Sequence, residues 1–287
     1  MKTMEELRIS LFSDGADLAG ILEMYANPWI RGFTTNPTLM RKAGVRDYEA
    51  FARSLLRAVP DRPISFEVFA DDEEEMEMQA LTIATWGANV NVKIPVTNRQ
   101  GEFMGPLVRR LAEAGVALNV TAILTLDQVE EVVEALPPEA WAIVSVFAGR
   151  IADTGVDPAP LMAEAKRILR WRPRAQLLWA SPRELLNVFQ AEDAGCDIIT
   201  VAPEILRKMS LVGKDLSAYS LETVEMFHND ARAAAFRIDT SMVAMAKAEG
   251  QRFSVRLAAE DDPHRFREIQ REVVRARIDS VDGRTQA

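Results

Sequence analysis

From residue 8 to about residue 210, short apolar or alternating runs take turns with longer stretches whose apolar residues recur every three or four positions. The first pattern fits strands, in which successive side chains face opposite sides, and the second fits helices with one buried face. On this basis strands are predicted at 8–13, 30–34, 64–69, 89–94, 117–122, 141–146, 175–180 and 197–201. Helices are predicted near 17–26, 47–58, 72–86, 103–114, 126–136, 158–170 and 183–194, with a short one near 203–209. Asp72 and Glu73 load the first turn of the third helix, and Pro182 suits the entry to the seventh.

Eight strands that alternate with helices imply a parallel sheet, and the number eight points to closure: an α/β chain forming a single (β/α)8 TIM barrel over residues 1–219. An open doubly wound sheet is the alternative. Against it, Ser13-Asp14-Gly15-Ala16-Asp17 after the first strand lacks the glycine fingerprint of a dinucleotide site. Strands stop near residue 220, and 220–287 reads as a C-terminal helical extension. One long helix is predicted over 221–249, with Val224, Phe227, Ala231, Ala235 and Ile238 at spacings of three or four. A second, highly charged helix is predicted at 263–278, and the end, 280–287, is expected to fray.

Composition narrows function more than fold. The 287 residues are 48% hydrophobic and 27% charged, enough for a substantial core. A net charge of -9 argues against nucleic acid as a partner, since phosphate backbones need clustered cations. An anionic small molecule would have to be held by a few local arginines. A single cysteine, Cys196, rules out an intrachain disulfide and suits a reducing compartment. With two histidines, His228 and His264, and no spaced Cys/His cluster, no metal site is expected. The chain shows neither a signal-peptide core nor an apolar run of about 20 residues, so no membrane partner and a cytoplasmic location are expected.

Candidate chemistry gathers at the predicted strand ends, where such barrels place their active sites. In Asn89-Val90-Asn91-Val92-Lys93-Ile94-Pro95, alternation puts Lys93 on the same face as the two asparagines. A lysine inside a core is disfavoured as an ammonium, and the neutral amine can attack a carbonyl to give a Schiff base. The plain alternative is a strand-end lysine reaching solvent or pairing with a carboxylate. Other strands end in polar groups too: Asp14, Thr34 and Asn36, Glu67, Asn119 and Thr121, Ser145 beside Phe147, and Ser181. Singly, each has a plain role as a cap or a turn residue. Together they form a polar pocket with one amine and two carboxylates, and its desolvation cost has to be met by mutual hydrogen bonds, water or a ligand. Lys93 would be the nucleophile, Glu67 and Asp14 the proton carriers, and Thr121 the hydroxyl that holds a water. Arg150 and Arg183 follow strands six and seven, and a predicted helix start at Ser181-Pro182-Arg183 would add a phosphate site. Surface ion pairing is the plain alternative for both arginines.

Several runs carry a resemblance that covers residues 8 to 210: Ser13-Asp14-Gly15-Ala16-Asp17, Gly32-Phe33-Thr34-Thr35-Asn36-Pro37-Thr38, Val92-Lys93-Ile94-Pro95-Val96-Thr97, Asn119-Val120-Thr121, Ser145-Val146-Phe147-Ala148-Gly149-Arg150-Ile151-Ala152-Asp153 and Ala180-Ser181-Pro182-Arg183. In their order and spacing they resemble the transaldolases and the related fructose 6-phosphate aldolases. The resemblance implies a cofactor-free enzyme of carbohydrate metabolism, of the kind that serves the pentose phosphate shunt. Its Lys93 would form a Schiff base with a ketose phosphate and pass a dihydroxyacetone unit to an aldose phosphate. By matching position, Asp14 is the acid/base for carbon–carbon cleavage, and Glu67 and Thr121 handle the catalytic water. Asn36 and Ser145 hold the three-carbon unit, with Thr34, Asn119 and Phe147 lining it, and Arg150, Ser181 and Arg183 contact phosphate. Glu67 and Phe147 look like transaldolase choices, where the free aldolases tend to carry Gln and Tyr. Pro182 and Val146 depart from the Phe and Pro common at those positions, which leaves the sugars open. The expected partners are sugar phosphates and, by family analogy, further copies of the chain. An aldolase that handles free dihydroxyacetone and a non-catalytic sugar-phosphate binder remain as alternatives.

Overall fold

The alternating runs pair in chain order, all parallel, and the last returns to the first. In the computed structural model, which describes residues 3–248, the strands are β1 (Ser10–Asp14), β2 (Ile30–Thr34), β3 (Ile64–Glu67), β4 (Val90–Pro95), β5 (Leu118–Ile123), β6 (Ala142–Val146), β7 (Ala175–Trp179) and β8 (Ile198–Val201). They form a closed barrel in sequence order, with β1 bonded to β8. This is the (β/α)8 architecture implied by the alternation.

Two layers of apolar side chains hold it. Outward-facing Phe33, Phe66, Ile94, Val120 and Trp179 are fully buried under the helices, and each such side chain contributes roughly 1.5–3 kcal/mol. Inside the barrel a separate cluster of Phe12, Ile143, Leu178, Ala180 and Ile198 forms a plug. Gly32 makes room for it: a Cβ there would lie 2.5 Å from the Phe12 ring.

Helix starts follow local chemistry. Asp17, Asp47 and Asp72 each cap the helix that follows, accepting a backbone N–H through the carboxylate. Two helices escape the hydrophobic pattern, Pro37–Lys42 and Ala148–Asp153, because six residues are too few to display a repeat. The helix expected from residue 183 begins later, at Leu186–Asp193. Asn187 is the cause: its side-chain oxygen accepts from the backbone N–H of Arg183 at 2.7 Å and of Glu184 at 3.1 Å, which holds Pro182 and Arg183 in a loop.

One compact unit ends at Lys214 and a second begins at Asp215. Within the second, the continuous helix expected over 221–249 is instead two, Leu216–Ala233 and Ser241–Ala248. Ala235 takes a left-handed φ of 53°. The N–H of Phe236 bonds the carbonyl of Ala231 at 3.1 Å, and that of Ala235 bonds Arg232 at 3.0 Å. This pair of bonds is a Schellman stop, and it ends the helix in mid-stripe. The helix expected at 263–278 and the fraying end at 280–287 lie outside the described residues. Among the described residues, no helix is long and apolar enough to cross a membrane.

Candidate active site

At the C-terminal ends of the strands the barrel opens into a pocket of about 650 Å³. Every residue singled out from the sequence lines it: Asp14, Thr34, Asn36, Glu67, Lys93, Asn119, Thr121, Ser145, Phe147, Arg150, Ser181 and Arg183. Depth sorts them by chemistry. Lys93, Thr34, Asn119, Thr121 and Ser145 are buried, Asp14, Asn36, Glu67, Phe147 and Ser181 are half-buried, and Arg150 and Arg183 are exposed at the rim. A ligand with a reactive carbonyl at one end and an anion at the other matches that gradient.

Lys93 is 7% exposed, and its Nζ donates to Glu67 Oε2 at 2.8 Å and to the Thr35 carbonyl at 3.1 Å. The amine is therefore paired with a carboxylate, but inside the pocket and away from bulk solvent. β3 and β4 run in register with Glu67 beside Lys93, so the pairing of adjacent strands sets the contact. Asp14 ends β1 on the opposite wall and accepts from Thr34 Oγ1 at 2.7 Å, and the Thr34 hydroxyl also meets that of Thr200. Burial holds the Asp14 carboxyl above its usual range. The Thr34 hydrogen bond and the Lys93 charge pull the other way, Glu67 adds to the rise, and burial prevails.

Asn36 fills the capping role and also lines the pocket. Its side-chain oxygen caps the helix Pro37–Lys42 by accepting from Leu39 N–H at 3.0 Å, which leaves the amide N–H groups for the pocket. On the far wall, Ser145 Oγ donates to Asn119 Oδ1 at 2.6 Å and Asn119 Nδ2 donates to Ser65 Oγ at 3.1 Å. This chain orients the asparagine. Thr121 sits where the β5–β6 register shifts, next to Ala122 with a φ of 64°. Such a bulge re-aims a side chain. The Thr121 hydroxyl is buried, with no hydrogen-bond partner among the described residues, which suits it to hold a water or a ligand.

The rim is locked by a close approach of backbone. The N–H of Gly149 donates to the Ala180 carbonyl at 3.3 Å, and a Cβ on Gly149 would stand 1.5 Å from the Ser181 carbonyl oxygen. Only glycine fits, and the contact brings the helix Ala148–Asp153, which carries Arg150, against the loop that carries Arg183. Arg150 lies over the Phe147 ring, 5.4 Å from its centroid. Arg183 grips Asp153 with two N–H groups, the Nε contact at 2.9 Å, which holds the Asp153 carboxyl below its usual range. Arg183 is thus ion-paired, as its plain alternative has it, and it also lines the pocket, with three of its five N–H groups outside that pair. The anion site expected from a helix start at Ser181–Arg183 is not formed, because the helix begins at Leu186 and Asn187 occupies the Arg183 N–H.

Sequence reasoning missed Thr200, Lys42 and Ser65. Thr200 lies two residues from Ile198, and the alternation of β8 would have found it. Lys42, an exposed amine lining the pocket, rides on a helix the pattern did not reveal.

Comparison with known proteins agrees with this architecture. The family model for transaldolase/fructose-6-phosphate aldolase matches residues 11–259. A probable transaldolase from Dehalococcoides mccartyi is 34% identical over 200 residues, covering 69% of this chain and 89% of that protein. One from Caldicellulosiruptor saccharolyticus is 35% identical over 205 residues, covering 70% and 89%. Among solved structures, dihydrodipicolinate synthase from Rhodopseudomonas palustris aligns with a TM-score of 0.50 at 14% identity over 77% of this chain and 80% of that one. The 3-hexulose-6-phosphate synthase from Salmonella typhimurium aligns with a TM-score of 0.50 at 16% identity over 72% and 98%. These two speak to fold alone. A barrel with these motifs, matched over this length, belongs to the transaldolase/fructose-6-phosphate aldolase family.

Proposed function

We propose that the protein is a transaldolase that moves a dihydroxyacetone unit from a ketose phosphate to an aldose phosphate through a Schiff base on Lys93. One observation carries this reading: a buried amine lies 2.8 Å from one carboxylate, in the same pocket as a second carboxyl held above its usual range. Imine chemistry needs an amine that can shed its proton and groups that shuttle protons at each step.

In this scheme the Lys93 ammonium gives a proton to Glu67, and the freed lone pair attacks the ketose carbonyl carbon. The carbinolamine then loses its hydroxyl as water, with Glu67 returning the proton through a water held by Thr121. Asp14 removes the proton of the C4 hydroxyl and the C3–C4 bond breaks. Its electron pair flows into the iminium, leaving an enamine on Lys93 and releasing an aldose phosphate. An acceptor aldehyde reverses these events: the enamine carbon forms the new bond, and Asp14 returns its proton to the alkoxide. Hydrolysis of the imine frees the product and restores the amine. Asn36, Asn119 and Ser145 hold the hydroxyls of the three-carbon unit, and Thr34 aims Asp14. Arg150, Ser181 and Arg183 take the phosphate at the rim. No cofactor enters the scheme.

An aldolase that releases dihydroxyacetone would use the same set. Glu67 and Phe147 favour transfer, being the transaldolase choices on the resemblance noted above. The test is product analysis with a panel of ketose phosphates, with and without an aldose phosphate acceptor. Acceptor-dependent turnover is expected. Turnover that needs no acceptor would move the assignment to aldolase, and binding without turnover on the whole panel would support a sugar-phosphate binder.

A further inference from the structure

In a parallel ladder, a residue's N–H bonds the residue before its partner, and its carbonyl accepts from the residue after it. Between β2 and β3, Phe33 N–H bonds the Pro63 carbonyl at 2.9 Å and Thr35 N–H bonds the Ser65 carbonyl at 3.2 Å. The next rung would run from Glu67 N–H to the Thr35 carbonyl. It is not made. Glu67 N–H donates instead to Tyr48 Oη at 2.8 Å, and the same hydroxyl donates to the Glu67 carbonyl at 2.8 Å. The Thr35 carbonyl turns to Lys93 Nζ at 3.1 Å. On its other side β3 stays anchored, with Val68 N–H bonded to the Lys93 carbonyl at 3.1 Å.

We infer that Tyr48 is a positioning residue for the Lys93–Glu67 pair. Its phenol replaces the last β2–β3 rung, fixes the backbone that carries the Glu67 carboxylate, and releases the Thr35 carbonyl to hold the amine. Both backbone groups of Glu67, its N–H and its carbonyl, are satisfied through that one hydroxyl, and both lose that partner without it. Tyr48 is well placed for the task. It opens the helix Tyr48–Ala58 behind the Asp47 cap, and its ring is held by Phe66, Phe69 and Trp86 at centroid distances of 6.3, 5.4 and 5.8 Å. Burial raises the phenol above its usual range, so it remains a donor wherever the enzyme works.

This proposal rests on the Schiff-base reading, and the experiment separates the two. Tyr48→Phe keeps the ring and removes only the oxygen. Its kcat is expected to fall about 10- to 100-fold, with KM for a ketose phosphate changed less than about threefold. The single-turnover rate of borohydride-trappable adduct formation should fall with kcat, and its pH profile should move. Tyr25→Phe, which removes a hydroxyl bonded to Asp61 at 2.6 Å outside the pocket, controls for the loss of a hydrogen bond as such. If wild type forms no adduct, the Schiff-base reading falls and this proposal with it. If wild type forms the adduct and folded Tyr48→Phe forms it at the same rate and pH dependence, the proposal alone is overturned. Amide exchange at Glu67 in the unaltered protein gives a readout that no variant's folding affects: slow exchange supports the phenol as acceptor, and exchange as fast as in neighbouring loops overturns it.

Discussion

Replacing Gly149 with alanine is expected to damage the rim of the pocket while sparing its floor. The new Cβ would stand 1.5 Å from the carbonyl oxygen of Ser181 and 2.6 Å from its carbon, where real Cβ contacts essentially never fall below 3.0 Å. The atoms it would meet are backbone, so no rotamer change relieves the clash, and the helix Ala148–Asp153 and the Ser181 loop must part by about 1.5 Å. Overpacking of this kind costs about 1–3 kcal/mol of stability. The larger effect is on recognition, because Ser181 and Arg183 ride on the loop and Arg150 on the helix. Losing one charge-assisted hydrogen bond to phosphate at about 1.5–3 kcal/mol lowers kcat/KM for a ketose phosphate roughly 10- to 150-fold. Dihydroxyacetone carries no phosphate, so the rate of its borohydride trapping on Lys93 should change by less than about threefold. A folded Gly149→Ala protein that keeps wild-type kcat/KM for the phosphorylated sugar would refute the claim that this contact aligns the rim. Equal loss with both substrates would refute the separation of rim from floor.

Lys93→Met should abolish turnover while leaving the fold intact by circular dichroism; retained activity would remove the Schiff-base mechanism. Asp14→Asn should lower kcat by about 10²- to 10⁴-fold, the usual worth of a positioned acid/base. Its effect on stability has a definite sign. A carboxyl raised in the folded state binds more protons there than when unfolded, so the stability Asp14 contributes is full below its unfolded pKa, near 3.8, and is lost as pH rises through the folded value. The wild-type-minus-variant difference in unfolding free energy should therefore fall with pH across that window, and a rising difference in denaturant titrations would contradict it. For the same reason, the acidic limb of kcat should lie above the ordinary carboxylate range. Thr121→Val removes a buried hydroxyl that has no partner among the described residues, so melting should show unchanged or slightly higher stability, by up to about 1 kcal/mol, while imine hydrolysis slows. Marked destabilisation would mean the hydroxyl is bonded after all.

How much of this was legible in the sequence depends on how far each feature reaches along the chain. A short apolar or alternating run needs only five or six residues, and such runs placed all eight strands to within a residue or two. Alternation also put Lys93 on the inner face with Asn91. The long amphipathic helices were equally plain, yet the two six-residue helices had too few turns to show a repeat. The stripe Val224, Phe227, Ala231, Ala235, Ile238 promised one helix, and the chain breaks it with an alanine in a left-handed conformation, where a glycine or asparagine would have signalled the stop. The pocket emerged because its residues lie at strand ends, whose position the barrel dictates. What stayed hidden were contacts between distant segments. Nothing near Glu67 in the chain announces that Tyr48 takes the place of a ladder bond, and Asn187 shifts a helix start by turning back on residues four and three positions earlier.

The proposed chemistry starts from one amine, Lys93. Incubation with a ketose phosphate and borohydride, followed by intact-mass measurement and peptide mapping, should yield a single three-carbon adduct on Lys93. An adduct on Lys42, the exposed amine at the rim, or no adduct with any ketose phosphate tried, would contradict it.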